Sequence, residues 1–473
     1  MEGNPPSSIL IVGSGVFGLS TAWALTKRPL FAKTSITVVD DTTGGQFPPE
    51  DCASIDSSRI VRADYADPHY AALANEAQRE WRKQGVAELG GQGRYTESGL
   101  ILTAYVPEES KTGQKSGMAY TQESWKNCVE IAVKEGHLPG EIETLDSAAA
   151  LGASLGTDTH AGDWGYLNPF SGWADAGKGM KWLFEQVTTS GRVEFVEAKV
   201  GRLKTRGGAV TGVQLLDGRL LDADVVLVAA GAWTGTLIDL RGQVEATGQA
   251  LGYVDISDEE LAVLSEQPVV LNLSSGLFII PPQGRTLKVA RHGFGYLNPS
   301  VVHGALPSSP LAEQKPIVVS RPRTSRNGLA RRLPHEADMD LRRGLAQLSP
   351  VKGLEKRPWK ETRLCWYSDT RDGDWLVDWH PGWKGLFIAT GDSGHGYKFL
   401  PVLGEKVLDC MLGQGGLIGE KWKWKEVDGE TVGKETDGKF NGLVTMDGSR
   451  GGLPGMILAE EMQKERYQRG VKL

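Results

Sequence analysis

The sequence is poor in cysteine, in excess positive charge and in long apolar runs. Its 473 residues contain four cysteines, none in a CxxC pair, at positions Cys52, Cys128, Cys365 and Cys410. This number excludes a disulfide-stapled small domain and favours a reducing compartment. The formal net charge of −7 argues against a nucleic-acid partner or an anionic membrane surface. No apolar run approaches the ~20 residues of a membrane span, so we expect no membrane contact.

Metal-ligand patterns are missing as well. The eight histidines and the carboxylates show no HExxH or comparable ligand spacing, so we predict no catalytic metal. Glycine, in contrast, is abundant, with 61 residues in the chain. Such a content suits many tight turns and close approaches of the backbone to a ligand. The length predicts two domains that share a large core rather than one small domain.

The first forty residues predict a dinucleotide-binding loop. Ser8–Val12 is a short run that is apolar after its first residue, typical of a buried parallel strand. It is followed by Gly13–Gly18, then by apolar residues at helical spacing, and then by the β-branched run Ile36–Val39, which ends in Asp40. Strand, glycine turn, helix, strand and acid stand in the order of a Rossmann fingerprint. Phosphates would lie at the helix N-terminus, and Asp40 would accept from ribose hydroxyls.

Within that loop each residue has an expected place. Gly13 permits the turn, Gly15 lets a pyrophosphate approach the backbone, and Gly18 lets helix and strand pack closely. The predicted cofactor contacts in this region are Gly13, Ser14, Gly15, Val16, Phe17, Gly18 and Asp40.

A second element of this kind favours FAD over NAD. Asp224–Trp233 gives another buried strand that ends in small residues and glycine, after hairpin signals near Gly207 and Asp217. Flavoproteins with two dinucleotide loops place such an element against FAD. We therefore expect cofactor contacts from Val200, Gly231 and Trp233.

The predicted fold class is α/β, with a Rossmann-like FAD-binding domain of the two-dinucleotide-loop type and a discontinuous α+β substrate domain built on an antiparallel sheet. Residues 1–90, 160–245 and 355–445 are assigned to the FAD-binding domain. Residues 91–159 and 246–354 form the substrate domain, and residues 446–473 a C-terminal tail.

Taken singly, the remaining candidates are ambiguous. Cys365, beside two aromatic residues, is typical of a buried structural cysteine. Arg59 and Arg62 suit either a solvated face paired with acids such as Asp64 or bidentate recognition of a carboxylate.

The order of four blocks resolves much of this ambiguity. They are Ser57–Tyr65, Leu287–His292, Arg363–Thr370 and the segment Gly394-His-Gly-Tyr-Lys398. With them the chain resembles the flavin-dependent amine oxidases that include monomeric sarcosine oxidase and the fungal fructosyl amino acid and fructosyl peptide oxidases (amadoriases). The resemblance runs from Gly13 to about Leu408, and the sequence of the segment Thr390–Gly396 is most similar to that of the fructosyl peptide oxidases.

The resemblance implies roles for these residues around the flavin. Cys365 corresponds to the cysteine that holds the 8α carbon of the flavin through a thioether. Lys288 corresponds to the lysine that activates oxygen, and Arg59 lies close to the flavin. Gly391, Gly394 and Gly396 let the backbone approach the pyrimidine edge of the ring, and His395 and Lys398 are further expected cofactor contacts.

It also implies a substrate site. Arg62 and Lys398 hold the substrate carboxylate, with Arg59 nearby. His292 matches the histidine of sarcosine oxidase, whereas some fructosyl amino acid oxidases have an acid there that contacts the substrate. The role of His292 is therefore left open between a substrate contact and a supporting hydrogen-bonded residue.

The expected reaction is the oxidative deglycation of fructosyl amino acids or short fructosyl peptides, which yields free amine, glucosone and hydrogen peroxide. A sarcosine- or pipecolate-type oxidase would use the same residues on a smaller amine. A nicotinamide dehydrogenase would leave Cys365 and Lys398 unexplained, and a non-catalytic flavin-bound sensor of glycated amines would not need Lys288 and Lys398.

The expected partners are the small-molecule substrate and molecular oxygen, and the chain is expected to be a monomer. Val471-Lys-Leu473 is similar to a degenerate peroxisomal address. The predicted location is therefore cytoplasmic or peroxisomal.

Overall fold

The computed structural model describes residues 5–42, 47–49, 51–107, 115–324, 332–427, 435–436 and 439–468. These residues form an α/β fold with one mainly parallel sheet and one large, mainly antiparallel sheet. The predicted fold class is confirmed. The C-terminal tripeptide, on which the peroxisomal prediction rests, lies outside the described residues.

The helices are α1 (Val16–Lys27), α2 (Pro68–Trp81), α3 (Gly117–Lys134), α4 (Ala148–Leu155), α5 (Ala176–Thr189), α6 (Asp258–Leu264), α7 (His335–Leu348), α8 (Leu400–Met411), α9 (Gly416–Lys421) and α10 (Leu458–Gln468). The first thirteen strands are β1 (Ser8–Val12), β2 (Ser35–Asp40), β3 (Arg59–Val61), β4 (Tyr95–Thr96), β5 (Leu100–Ala104), β6 (Glu143–Leu145), β7 (Trp164–Asn168), β8 (Gly172–Ala174), β9 (Val193–Glu197), β10 (Val200–Arg206), β11 (Ala209–Leu215), β12 (Leu220–Asp222) and β13 (Val225–Val228). The others are β14 (Glu245–Asp255), β15 (Val269–Asn272), β16 (Leu277–Ile280), β17 (Thr286–Arg291), β18 (Tyr296–Leu297), β19 (Pro299–Val302), β20 (Ile317–Ser320), β21 (Glu361–Asp369), β22 (Leu376–Trp379), β23 (Leu386–Thr390), β24 (Glu435–Thr436), β25 (Lys439–Phe440) and β26 (Met456–Ile457).

The first sheet has the strand order β22-β23-β13-β1-β2-β9 and is parallel except at β22. β13 is wholly apolar, and β1 is apolar after Ser8, because both faces of the sheet are covered, as expected for a doubly wound fold. α1 packs on this sheet and against α5 and α8. The close packing needs Gly18, since a Cβ there would lie 1.9 Å from the carbonyl oxygen of Gly13.

The second sheet carries Lys288 on β17 and Cys365 on β21. Its order is β26-β18-β14-β17-β16-β15-β5-β7-β6, and β21 joins it through an antiparallel pairing with β14. α7 packs on β16 and β17 from one side. The remaining face of these strands looks toward the carboxyl end of β1, so that the two sheets enclose a common cavity.

The domain boundaries predicted from the sequence stay a prediction. The first sheet draws its strands from residues 8–40, 193–228 and 376–390, and the second sheet receives a strand, β26, from the last part of the chain. Within the described part of the chain, no helix combines the length and the apolar character needed to cross a membrane.

Candidate active site

A cavity of about 300 Å³ lies between the two sheets. It is lined by nearly all the residues singled out from the sequence, namely Gly13, Gly15, Val16, Phe17, Asp40, Arg59, Arg62, Val200, Gly231, Trp233, Lys288, His292, Cys365, Gly394, His395, Gly396 and Lys398. Ser14 and Gly18 are not lining residues. Ser14 donates to Asp40, and Gly18 packs closely against Gly13 at the start of α1. The structure thus brings distant blocks together, while the role of each residue stays a prediction.

One end of the cavity suits a dinucleotide. Gly13 has φ +106°, a conformation that favours glycine, and turns the chain from β1 into α1. The N-cap of α1 is Gly15, which offers no capping side chain, so the first amides of the helix are left for a ligand. Asp40 accepts hydrogen bonds from the Ser14 amide at 2.6 Å and hydroxyl at 2.7 Å. Burial raises the pKa of Asp40.

Asp56 organises the next part of the cavity. Lys288, on β17, donates to the Asp56 carboxylate at 2.7 Å and to the Ser58 carbonyl at 2.8 Å. Arg59, on β3, donates to the same carboxylate, and Tyr253 donates to it at 2.7 Å. One buried acid therefore ties β3, β14 and β17 together and balances two cations.

These contacts determine the charge states of Asp56 and Lys288. Burial acts to raise the pKa of Asp56, but Lys288 and Arg59 hold it well below its usual range. Burial lowers the pKa of Lys288 to about 8, against the opposing effect of the Asp56 carboxylate. Near neutral pH the pair is charged, and Lys288 is a cation that loses its proton only slightly above neutrality.

Cys365 lies on β21, opposite Gln249 of β14, and its thiol faces the cavity. The sulfur is 3.6 Å from Nη2 of Arg59 and 3.8 Å from the carbonyl oxygen of Ala53. Cys52 lines the same cavity, and its pKa is raised to about 11 by burial. Cys128 and Cys410 are not among the lining residues.

Arg62 is a buried guanidinium that forms no ion pair within the described ranges, and it is 5 % exposed. It stacks over the Tyr65 ring at 4.9 Å, and its Nη1 has no hydrogen-bond partner. The acid considered from the sequence as its partner, Asp64, accepts instead from Tyr166 and Ser171. The interpretation of Arg62 as half of a surface ion pair is therefore wrong.

Lys398 is a second buried cation-forming group without a carboxylate partner among the described residues, in a short 3₁₀ turn (Tyr397–Phe399) before α8. Its Nζ donates to the Tyr65 hydroxyl at 2.8 Å and to the carbonyl oxygen of His395 at 3.0 Å. Burial and the nearby Arg62 lower the pKa of Lys398 well below its ordinary value. Lys398 is therefore not the surface lysine that its position before a helix allowed.

His292 contacts a residue from the C-terminal part of the chain. Arg450 places Nη1 3.0 Å from Nδ1 and 2.9 Å from Nε2 of His292. The same guanidinium donates to Asp369 at 2.5 Å and to the Ser393 carbonyl at 2.7 Å. Burial and Arg450 lower the pKa of His292 well below 6.5, whereas burial raises that of Asp369 to about 6. His292 is therefore a neutral hydrogen-bond acceptor.

Three important neighbours were not singled out from the sequence. Asp56 and Tyr65 flank Arg59 and Arg62 in the block around β3, and their proximity to arginines was an available signal. No such signal marks Arg450, because it lies in a glycine-rich segment without periodicity. Within the described part of the chain, no group of three or more His, Cys, Asp or Glu side chains could hold a metal ion.

Comparison with known proteins agrees with this geometry. Residues 8–409 match the family DAO, FAD dependent oxidoreductase. Amino acid oxidase imqH of Aspergillus flavus is 32 % identical, over 86 % of this chain and 93 % of that protein. L-saccharopine oxidase of Schizosaccharomyces pombe is 29 % identical, over 89 % and 94 %.

Among solved structures, fructosyl peptide oxidase from E. terrenum superposes with a TM-score of 0.77 and 23 % identity, over 97 % of this chain and 98 % of that one. At this identity the likeness shows the fold alone. The predicted cofactor, FAD, is confirmed by the family match, and so is the enzyme class, a flavoprotein oxidase that acts on CH–NH groups. The chain belongs to the DAO family of FAD dependent oxidoreductases.

Proposed function

We propose that the enzyme oxidises N-substituted amino acids, in which a secondary amine and a carboxylate stand close together. The observation that carries this proposal is the pair Arg62 and Lys398. Both are buried at the cavity wall, and neither has a carboxylate partner among the described residues. A buried arginine stays charged and is normally paired, so an unpaired arginine beside a buried lysine that can take up a proton favours an anionic ligand.

Arg62 has the better geometry for the carboxylate. Its free Nη1 leaves a donor unsatisfied inside the protein, at a cost of roughly 1–3 kcal/mol. A carboxylate would accept from it, and the planar fork of arginine favours a bidentate contact. The names of the relatives support this substrate class, because one is an amino acid oxidase and saccharopine is itself a secondary amine with carboxylates.

The residues present fit FAD. The uncapped start of α1 would take the pyrophosphate, and Gly394 and Gly396 would bring the backbone to the flavin ring. When bound, FAD supplies the acceptor for the two electrons removed from the CH–NH bond, and oxygen takes them on as hydrogen peroxide. Lys288, held by Asp56, would present a positive charge to oxygen.

Fructosyl amino acids and short fructosyl peptides are one subclass of N-substituted amino acids, and the sequence prediction of a deglycating oxidase stays a proposal within this class. N-Methylglycine and pipecolate form the smaller subclass. His292 bears on the choice, because a neutral ring held by Arg450 offers no negative charge to a polyhydroxylated substituent.

The test is peroxide release by the holoenzyme over a panel of N-methylglycine, L-pipecolate, L-saccharopine, fructosyl-valine and fructosyl-valyl-histidine. Each active compound is then compared with its carboxamide, which keeps the amine but lacks the charge. We expect the carboxamide to lose roughly 2–4 kcal/mol of transition-state binding, about 30- to 1000-fold in kcat/KM.

Arg62→Met should remove most of this preference. The exposed Arg206→Met is the matched control and should keep it. Equal rates on the acid and its carboxamide would overturn the proposal.

Covalent attachment of the flavin through Cys365 has a separate test. The protein is precipitated with acid and the pellet is examined for flavin absorbance. Wild type and Cys52→Ser should give a yellow pellet, and Cys365→Ser a colourless one. A colourless wild-type pellet would exclude the thioether while leaving the substrate proposal intact.

A further inference from the structure

A secondary amine that is to be oxidised must first lose a proton. Aliphatic amines such as the lysine side chain have a pKa near ~10, so an N-substituted amino acid reaches the enzyme as an ammonium. Its nitrogen lone pair is then occupied. A group in the cavity that accepts this proton would make the common form of the substrate reactive near neutral pH.

Two candidate bases are already engaged. His292 faces the guanidinium of Arg450 within 3.0 Å, and the charge of that group opposes protonation of the ring. Lys288 is fixed as a cation by Asp56. Lys398 differs from both, since its neighbours accept hydrogen bonds from it but none is a carboxylate within ion-pair distance among the residues that the structure describes.

The direction of each hydrogen bond at Lys398 follows from simple chemistry. The carbonyl oxygen of Gly373 can only accept, so Nε2 of His395, 2.8 Å away, carries the proton. Burial lowers the pKa of His395 well below 6.5, so Nδ1 carries a lone pair. The Tyr65 hydroxyl, 3.0 Å from Nδ1, must donate to it. Tyr65 oxygen is then free to accept from Lys398.

This series of hydrogen bonds leaves a neutral Lys398 with only its nitrogen lone pair unused. An uncharged amine has two N–H groups, and both are used, one by Tyr65 and one by the His395 carbonyl. The nitrogen lone pair is what remains. Lys398 lines the cavity, where Arg62 also lies, so the lone pair is available to a ligand there.

The surrounding charges favour the neutral form in the free enzyme. Arg62 repels a second cation, while Asp392 and Asp64 attract one more weakly. Asp64 accepts from Tyr166, Asn168 and Ser171, and Asp392 accepts from Ser368, so each carboxylate has hydrogen bonds of its own. The lowered pKa of Lys398 is consistent with this arrangement.

We propose that Lys398 is the base that takes the proton from the substrate's secondary ammonium group and then, as an ammonium itself, pairs with the substrate's carboxylate. One N–H bond of the substrate breaks, one N–H bond forms on Nζ of Lys398, and no electrons are exchanged in this step. Tyr65 and His395 are positioning residues, which accept hydrogen bonds from the two N–H groups of Lys398 and so leave its lone pair unused. The inference rests on the proposed function.

The charge of Lys398 can be measured without any substrate. Holoenzyme labelled with [ε-¹³C]lysine is examined by NMR at pH 7, and the resonance of Lys398 is assigned by its loss in Lys398→Met, with Lys288→Met as the control. We expect the Lys398 signal at the position of an uncharged amine and the Lys288 signal at that of an ammonium. A charged Lys398 at pH 7 would overturn the proposal.

Kinetics then test the proton transfer. Lys398→Arg keeps a cation for the carboxylate but cannot accept a proton. At pH 7 only about one part in 1000 of an amine with pKa ~10 is unprotonated, so kcat/KM should fall by up to about 1000-fold. It should recover about tenfold for each pH unit toward pH 10, more steeply than in wild type. Parallel pH profiles of the two enzymes would contradict the proposal.

The positioning role of Tyr65 can be tested by the titration of Lys398 in a Tyr65 variant. In Tyr65→Phe one N–H group of Lys398 loses its acceptor, and we expect the NMR signal of Lys398 to titrate at a different pH than in wild type, with binding of FAD retained. An unchanged titration would show that Tyr65 does not hold Lys398. If wild type oxidises none of the amines, the proposed function fails, while the NMR measurement still decides the charge of Lys398.

Discussion

Lys288 and Lys398 line the same cavity, are buried to the same degree and differ mainly in one neighbour. Lys288 has the Asp56 carboxylate at 2.7 Å, whereas Lys398 has a tyrosine hydroxyl and a carbonyl oxygen and no carboxylate in the described ranges. A buried lysine with a carboxylate keeps its charge near neutral pH. A buried lysine without one can change its charge when a ligand arrives. The same residue type thus stands in two different electrostatic environments within one cavity.

Removal of the Asp56 carboxylate should have the largest effect on the difference between Lys288 and Lys398. Asp56→Asn leaves the buried Lys288 and the partly buried Arg59 without their common partner, and the loss of one partner of a buried pair costs roughly 3–5 kcal/mol. We expect a fall of this size in the free energy of unfolding, measured with urea on the holoenzyme. Asp158→Asn removes an exposed partner of Lys352 and should leave the midpoint unchanged. Equal midpoints for the two variants would contradict the central role of Asp56.

Exchange of the lysines themselves should separate the two halves of the catalytic cycle. Lys288→Met removes the cation presented to oxygen, and loss of one such electrostatic contact costs about 100-fold or more in rate. In stopped-flow experiments we expect slow reoxidation of the reduced enzyme with little change in anaerobic reduction by substrate. Lys398→Met should show the reverse pattern. If both variants slow the same half-reaction, the assignment of separate roles is wrong.

Arg450 offers a comparison between two buried ion pairs. Arg450→Met leaves Asp369 without its partner, but the pKa of Asp369 is already raised to about 6 by burial, so this acid can take up a proton. The loss of stability should therefore be smaller than for Asp56, roughly 2 kcal/mol. It should grow from pH 5 to pH 8, because protonation of the unpaired acid becomes costly as the pH rises. A loss independent of pH would contradict this account.

The smallest expected effect is the pH dependence of the wild-type reaction with oxygen. The active form of Lys288 is the cation, and its pKa is lowered to about 8. The reoxidation rate constant should be constant below pH 7, reach half its value near pH 8 and fall above it. The rate constant of Lys288→Met should not change over this range.

The sequence alone predicted those parts of the fold and site that depend on local patterns. The apolar run before Gly13 and the acid after β2 define the dinucleotide end because strand, turn and helix follow directly in the chain. Lys288 and His292 were placed on one face by the period of a strand, and both line the cavity. The family resemblance supplied Cys365, Arg62 and Lys398 as candidates.

What could not be predicted depends on contacts between distant segments. Lys288 and Asp56 are 232 positions apart, and Arg450 and His292 are 158 apart. Neither pairing follows from periodicity or spacing. The charge states of Lys288 and Lys398 also depend on these contacts, so two lysines that are equivalent by residue type become different only in the folded chain.

The connection between Arg450 and His292 has a consequence for the order in which the molecule is made. Gly451 forms backbone hydrogen bonds with His292 and Phe294, and the strand that follows pairs with β18. A ribosome adds Arg450 to the chain 158 positions after His292. The strands of the first sheet all precede Arg450, so the nascent protein can assemble that sheet before the partner of His292 has been synthesised.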